Sequence, residues 1–422
     1  MVTTGGLSLD QAPPIHLPLR FFLTAPWLAV GAGLVLVLQG EMVMASRWTP
    51  AALAATHLIA IGFLGQIMCG ALLQMLPVIT GTPVPRVGQV APLIHLLLSL
   101  GSVLMAAGFL GAGAALLGIG AVATSLGFAV FLGAAAFVLG RAQGPAASRL
   151  ALRLAALSLA FTVALGLLLT AGLLGWLSLP RFPDWVQAHL SWGLLGWVGL
   201  LIVGLGFQVV PLFHVTPPYP GWMPRVLVPA VFLALVVATI LLLTGQGSKD
   251  EWPYSALALG YCAFGAITIG LQLRRARPRL DATLIHWWLS MGAVMAAACA
   301  RWLEAPPELL GILLLVGVGV GLPSGMLLKI VPFLCWFHLQ SRQVAAGRFE
   351  VRVPHTHLLI PERLARWHPL LHGLSLALLA AAVHEPVLAR LGGLLLACSA
   401  LWLFALIAGA AWRYRRVSLA LR

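Results

Sequence analysis

Charge is what this sequence has least of. Asp, Glu, Lys and Arg make up 9% of its 422 residues, where a soluble domain carries about a quarter. With a hydrophobic share of 61% and a mean hydropathy of +1.00, that scarcity excludes a soluble globular enzyme. It equally excludes a disordered chain and a soluble domain on one anchor. Cysteine is sparse as well. Cys69, Cys262, Cys299, Cys335 and Cys398 all lie in apolar stretches, and no two share a metal-ligand spacing. They read as reduced core residues without a disulfide frame. Phosphate-cradling Gly-rich loops, H-E-x-x-H and G-x-S-x-G are missing too, which removes the soluble-enzyme constellations. The first residues, MVTTGGLSLDQAPPIHLPLR, lack a basic start, a short apolar core and a cleavage site. They are expected to be a polar tail, not a removable signal.

Long apolar runs are what the sequence does have. A bilayer crossing takes about 20 apolar residues. Runs of that kind recur at 20–40, 53–79, 91–112, 114–140, 150–177, 186–213, 226–245, 253–273, 282–303, 308–338, 367–384 and 388–411. The third and fourth are divided only by Gly111 and Gly113 in a continuous apolar stretch. Twelve crossings put both chain ends on one side. Nineteen of the 25 Lys and Arg then fall on that side, five on the other, and Lys329 lies inside a span. Cytoplasmic loops retain positive charge, so both termini are expected in the cytoplasm of a bacterial-type inner membrane. The formal charge of +14 thus reflects topology and calls for no nucleic acid. The expected organisation is a cytoplasmic polar tail (1–19), one twelve-helix domain (20–412) with a cytoplasmic surface loop at 339–366, and a basic cytoplasmic tail (413–422).

Three runs share a pattern. GALLQMLP carries Gly70, Gln74 and Pro77; GLGFQVVP carries Gly204, Gln208 and Pro211; GMLLKIVP carries Gly325, Lys329 and Pro332. The spacing G-x-x-x-[Q/K]-x-x-P recurs every four spans, with partial echoes at PLIH (92–95) and PLLH (369–372). This predicts an all-α bundle of three units of four helices. Polar residues within a bilayer tend to face the bundle interior. Gln74, Gln208 and Lys329 are therefore expected on inward surfaces, either as hydrogen-bonding glue or along a polar path.

Twelve histidines are many for such a chain. His57 and His189 open the second and sixth spans, toward the periplasmic side, and His384 ends the eleventh on that same side. His95, His286 and His372 fall in the cytoplasmic half. Imidazole is the usual nitrogen ligand for transition metals and haem iron. Gly62, Gly65 and Gly70 follow His57; Gly193, Gly196, Gly199, Gly204 and Gly206 follow His189. Such glycines admit either a planar group or a neighbouring helix. There is no C-x-x-C-H motif for covalent haem attachment.

The run HLIAIGFLGQIMCGALLQMLPVITG from His57 resembles the second span of the NnrS-type membrane haem proteins, relatives of haem–copper oxidase subunit I. The matching residues are His57, Gly62, Phe63, Gly65, Gly70, Pro77, Thr80 and Gly81. The start of the first span, RFFLTAPWLAV, is also similar, and AHLSWGLLGWVGLLIVG looks like a distant counterpart opening with His189. The resemblance implies twelve helices in a pseudo-threefold bundle like haem–copper oxidase subunit I. It makes His57 an axial haem ligand and His189 a copper ligand. Departures are plain. RVLVPAVFLALVVATILLL has no His pair, and PELLGILLLVGVGVG has no His at all. The full binuclear centre therefore does not transfer.

The expected function is a haem-binding membrane protein of respiratory or nitric oxide redox metabolism. Its haem would be b-type, with copper as a second candidate cofactor. His57 would be the first ligand, partnered by His189 or His384, with His95, His286 and His372 as secondary candidates. Any turnover would be oxidoreductase chemistry akin to oxygen or nitric oxide reduction. Membrane lipid, an electron donor or respiratory complex, and a second copy of the chain are the compatible partners. A permease with a polar path past Gln74, Gln208 and Lys329 is the rival reading. A cofactor-less assembly or sensing relative is the third.

Overall fold

The computed structural model describes residues 11–142, 146–246 and 251–421. Among them run twelve helical rods: α1 (His16–Ala45), α2 (Pro50–Thr80), α3 (Val87–Ala112), α4 (Ala114–Gly140), α5 (Ala146–Leu173), α6 (Phe182–His214), α7 (Met223–Leu243), α8 (Trp252–Leu273), α9 (Ala282–Trp302), α10 (Pro307–Ala346), α11 (Trp367–Ala381) and α12 (Leu388–Ala420). Eleven, all but α11, are long and apolar enough to cross a membrane. The chain is thus an all-helical, multi-pass membrane protein. α11 has 15 residues and covers about 22 Å. Two single-turn helices, Thr356–Leu359 and Glu362–Ala365, lie between α10 and α11. α12 runs on to Ala420, so the basic residues after position 412 ride on its last turns.

The break between α3 and α4 falls at the two glycines the sequence offers. Gly111 has φ +92° and Gly113 φ +132°, backbone that residues with a Cβ avoid. Back from this corner the two helices pack closely. A Cβ on Gly108 would meet Leu117, and one on Gly101 would meet Thr124. Small residues let helix backbones approach in lipid, where no hydrophobic force drives them together.

α1 and α12 use the same device. A Cβ on Gly33 would lie 2.7 Å from the Gly393 carbonyl, and one on Gly40 would lie 2.8 Å from the Ala389 methyl. Trp27 meets Phe404 further along (5.0 Å), and Glu41 pairs with Arg390 at 2.9 Å. The numbering rises on one helix as it falls on the other, so the two are antiparallel. Both described chain ends therefore share one face of the bundle, here called the terminal face.

α2 and α10 are the most deeply buried long helices. Both widen into a π-helix on the way, as does α6: Leu58–Gly65, Ser191–Gly199 and Ile312–Val320. Each π segment ends twelve residues before the proline of the sequence repeat, Gly65 before Pro77, Gly199 before Pro211 and Val320 before Pro332. The segment in α10 packs against those in α2 and α6, with the Leu64 side chain 3.4 Å from where a Gly319 Cβ would be. Carbonyls loosened by the wider turn find side-chain donors. The Tyr261 hydroxyl donates to the Leu195 carbonyl, and Ser290 donates to Gly317 at 2.9 Å. The repeat is thus a shared backbone deformation at matching places in three helices, beyond a coincidence of letters. π-bulges of this kind concentrate at functional sites.

Candidate functional site

His57 is the last residue before the π segment of α2, and His189 stands two residues before that of α6. Both lie near the face opposite the chain ends. His57 donates its Nδ1 proton to the Leu53 carbonyl at 2.8 Å. His189 donates its own to the Thr162 carbonyl of α5 at 3.0 Å. A carbonyl can only accept, so each contact fixes the tautomer and leaves Nε2 as a bare lone pair. Both rings are only partly buried. The Phe109 ring stands 5.1 Å from that of His57, tilted by 31°. Gly166 makes room for His189, since a Cβ there would sit 3.2 Å from Cε1. Further along α6, aromatic rings fill the core: Trp192 against Phe161 at 4.7 Å and Trp197 against Phe131 at 6.0 Å. Two imidazoles oriented by backbone acceptors, each with Nε2 free, are a ligand pair suited to iron.

His384 stands apart from this pair. It is exposed in the turn between α11 and α12, its amide bonded to the Ala381 carbonyl. The glycines after His57 and His189 are taken up by neighbouring helices. A Cβ on Gly62 would strike Leu28, on Gly70 Phe21, on Gly196 Ser158, on Gly204 Ala151 and on Gly206 Phe264. Of the two uses the sequence left open for them, these five serve helix packing.

The histidines of the terminal half divide. His95 meets Thr24 Oγ1 at 2.9 Å and packs edge-on to Phe21, a satisfied core residue. His286, His368 and His372 gather into one buried group, with ring centroids 4.8, 5.4 and 6.4 Å apart. His286 Nε2 and His368 Nδ1 are 2.7 Å apart, and His368 Nε2 lies 3.2 Å from Ser399 Oγ. His286 Nδ1 and both nitrogens of His372 are buried without a partner. His368 lies beside the long loop, at the start of the run 367–384, and is the second residue of α11. The available signal was the four-residue step from His368 to His372, which puts two side chains on one helix face. Among the described residues, no three His, Cys, Asp or Glu side chains stand at the spacing of a formed metal site. Cys69 and Cys335 are buried, but Cys299 and Cys398 are exposed on the outside of the bundle.

The polar residues of the repeat act between helices. Gln208 donates to Ser148 Oγ of α5 at 2.7 Å. Lys329 Nζ sits 2.5 Å from Asp281 Oδ2, the acid that caps α9. Gln74 is buried, with its Oε1 unpartnered. Two of the three therefore tie neighbouring helices together.

No protein-family model matches the chain, and no curated protein matches it either.

Proposed function

We propose that this protein holds a haem between His57 and His189, near the face opposite the chain ends. The carrying observation is the matched state of the two imidazoles. Each gives Nδ1–H to a backbone carbonyl, and each keeps Nε2 free in a partly open position. His189 fits as partner where the exposed His384 does not. A haem held by these two imidazoles would supply one-electron exchange. In this chain Leu53 and Thr162 hold the tautomers, and Phe109 packs beside the His57 ring. Electron transfer in respiratory or nitric oxide metabolism is the function that this arrangement serves.

The matching π segments in α2, α6 and α10 support a three-by-four bundle of haem–copper-oxidase type, with α11 as the twelfth crossing. The His pair differs from the oxidase ligand set, because α10 carries Leu310 and Gly311 where a third-unit His would stand. The basic terminal face supports cytoplasmic chain ends. The rival permease reading loses ground to the bonds made by Gln208 and Lys329.

The test is the visible spectrum of detergent-purified protein from haem-replete cells, with a pyridine haemochrome assay. A Soret band that is lost in both His57→Ala and His189→Ala supports the reading. A well-folded, haem-free protein, or full retention of haem in either variant, overturns it.

A further inference from the structure

The end of α12 carries a feature that is independent of the haem reading. We infer that the groove between its last turns and the segment 347–366 is a docking site for the headgroup of an anionic phospholipid, in the leaflet at the terminal face.

Helix length places the groove at the membrane surface. α12 has 33 residues, about 50 Å of helix, against a hydrocarbon core of about 30 Å. Arg390 pairs with Glu41 near the opposite face. From Arg390 to Arg413 the helix covers about 34 Å, so Arg413 and the turn after it lie at headgroup depth. Trp412 beside it is 58% exposed, an aromatic residue of the kind that settles at a membrane interface.

The segment 347–366 is fastened over this end of the helix. Arg413 donates to the Leu359 carbonyl at 3.1 Å, Arg348 to the Ala420 carbonyl at 3.0 Å and Trp402 to the Leu364 carbonyl at 3.0 Å. An open groove of about 420 Å³ remains between the two, lined by Arg352, Arg413 and Arg416 together with the apolar Leu358, Trp412 and Val417. Two of the guanidiniums are held in place. The bond to Leu359 fixes Arg413, and Arg416 lies over the Trp412 ring, 5.0 Å from its centroid. Side chains ordered beforehand lose less entropy when a ligand arrives.

Charge and shape select the occupant. Among the described residues no acid lines the groove, and none of the three guanidiniums enters an ion pair. Glu350, two residues before Arg352, is taken by Arg348 at 3.7 Å. Guanidinium matches two phosphate oxygens at once, and basic pockets at helix ends on the membrane surface recognise anionic headgroups. An amine-bearing headgroup would bring a further cation among three arginines, so an amine-free one such as phosphoglycerol is favoured. The apolar lining suits the glycerol and upper acyl carbons of a lipid, which a free phosphate lacks.

The test uses the full chain, delipidated in a neutral detergent and titrated with dioctanoyl phosphatidylglycerol, dioctanoyl phosphatidylcholine or glycerol phosphate. Native mass spectrometry counts the bound molecules. One phosphatidylglycerol per chain is expected, bound more tightly than either of the others. Arg352→Gln with Arg416→Gln should weaken it by about tenfold or more. Both residues are exposed and bond to nothing that holds the fold, and an unchanged unfolding midpoint without lipid checks this. Arg274→Gln with Arg277→Gln, exposed in the turn after α8, removes the same charge elsewhere and should leave binding intact. Phosphatidylcholine bound equally well, or equal losses in the two double variants, overturns the site. Glycerol phosphate bound as tightly as phosphatidylglycerol overturns the lipid as its occupant.

Discussion

The ammonium of Lys329 sits 2.5 Å from the carboxylate of Asp281, tying the buried α10 to the first turn of α9. Asp281 also accepts from the Leu284 amide at 2.9 Å through its other oxygen. Burial raises its carboxyl pKa, but the bond and charge of Lys329 and the Leu284 amide more than offset that, leaving it below the ordinary carboxylate value. The unfolded chain therefore takes up this proton at higher pH than the folded one. The stabilisation is fully present above about pH 4 and disappears as pH falls through the lowered value. Asp281→Asn keeps a capping oxygen but loses the charge. It should cost about 1–2 kcal/mol at neutral pH, discounted because the pair is partly exposed. Thermal unfolding of detergent-solubilised protein measures this. Wild type and variant should converge on acidification, and parallel stability–pH curves would count against the pair.

Gly166 should be felt at His189. A Cβ there would come within 3.2 Å of Cε1, so Gly166→Val should displace the ring and weaken its bond to the Thr162 carbonyl. We expect reduced haem content or a shifted Soret band. Gly133, with nothing within 4 Å of its would-be Cβ, is the control, and Gly133→Ala should leave the spectrum unchanged.

The α1–α12 contact should tolerate no bulk. In Gly33→Val the new side chain meets the Gly393 carbonyl, backbone that cannot swing aside. Overpacking against a core typically costs about 1–3 kcal/mol. Gly88→Ala, at an open position, should be neutral. Expression level and unfolding midpoint read the difference.

Tyr261→Phe removes the donor to the Leu195 carbonyl inside the π segment of α6. It leaves a loosened, buried acceptor unpaired, at about 1–2 kcal/mol. The expected sign is a lowered midpoint for thermal unfolding with haem content preserved. An unchanged midpoint would show that the π turn needs no such donor.

Much of the helix plan was open to reading, because long apolar runs report a bilayer crossing without reference to partners. Even the break at Gly111 and Gly113 falls where the residues suggested. The repeat was readable as letters, though not the π turns that accompany it, since these depend on what packs around each helix. His57 and His189 were readable as residues that open spans of the same direction, but the backbone carbonyls that orient them were not, since that of Thr162 belongs to another helix. The inner imidazole group was missed. His368 was readable as opening the run at 367–384, but not as meeting His286, which lies 82 positions earlier. Lys329 looked like a pathway residue because its partner, Asp281, lies 48 positions earlier.

The π turns have a consequence for how the interior is divided. Every residue added to an α-helix rotates the remainder of the rod by about 100°. A widened turn in each inner rod therefore resets which sides point inward above and below it. His57 and His189 precede the widened turns of α2 and α6, while Gln74 and Gln208 follow them on the same rods, in the reset phase. Where the three deformations meet, one rod can thus offer the interior a different side on either flank of its wide turn.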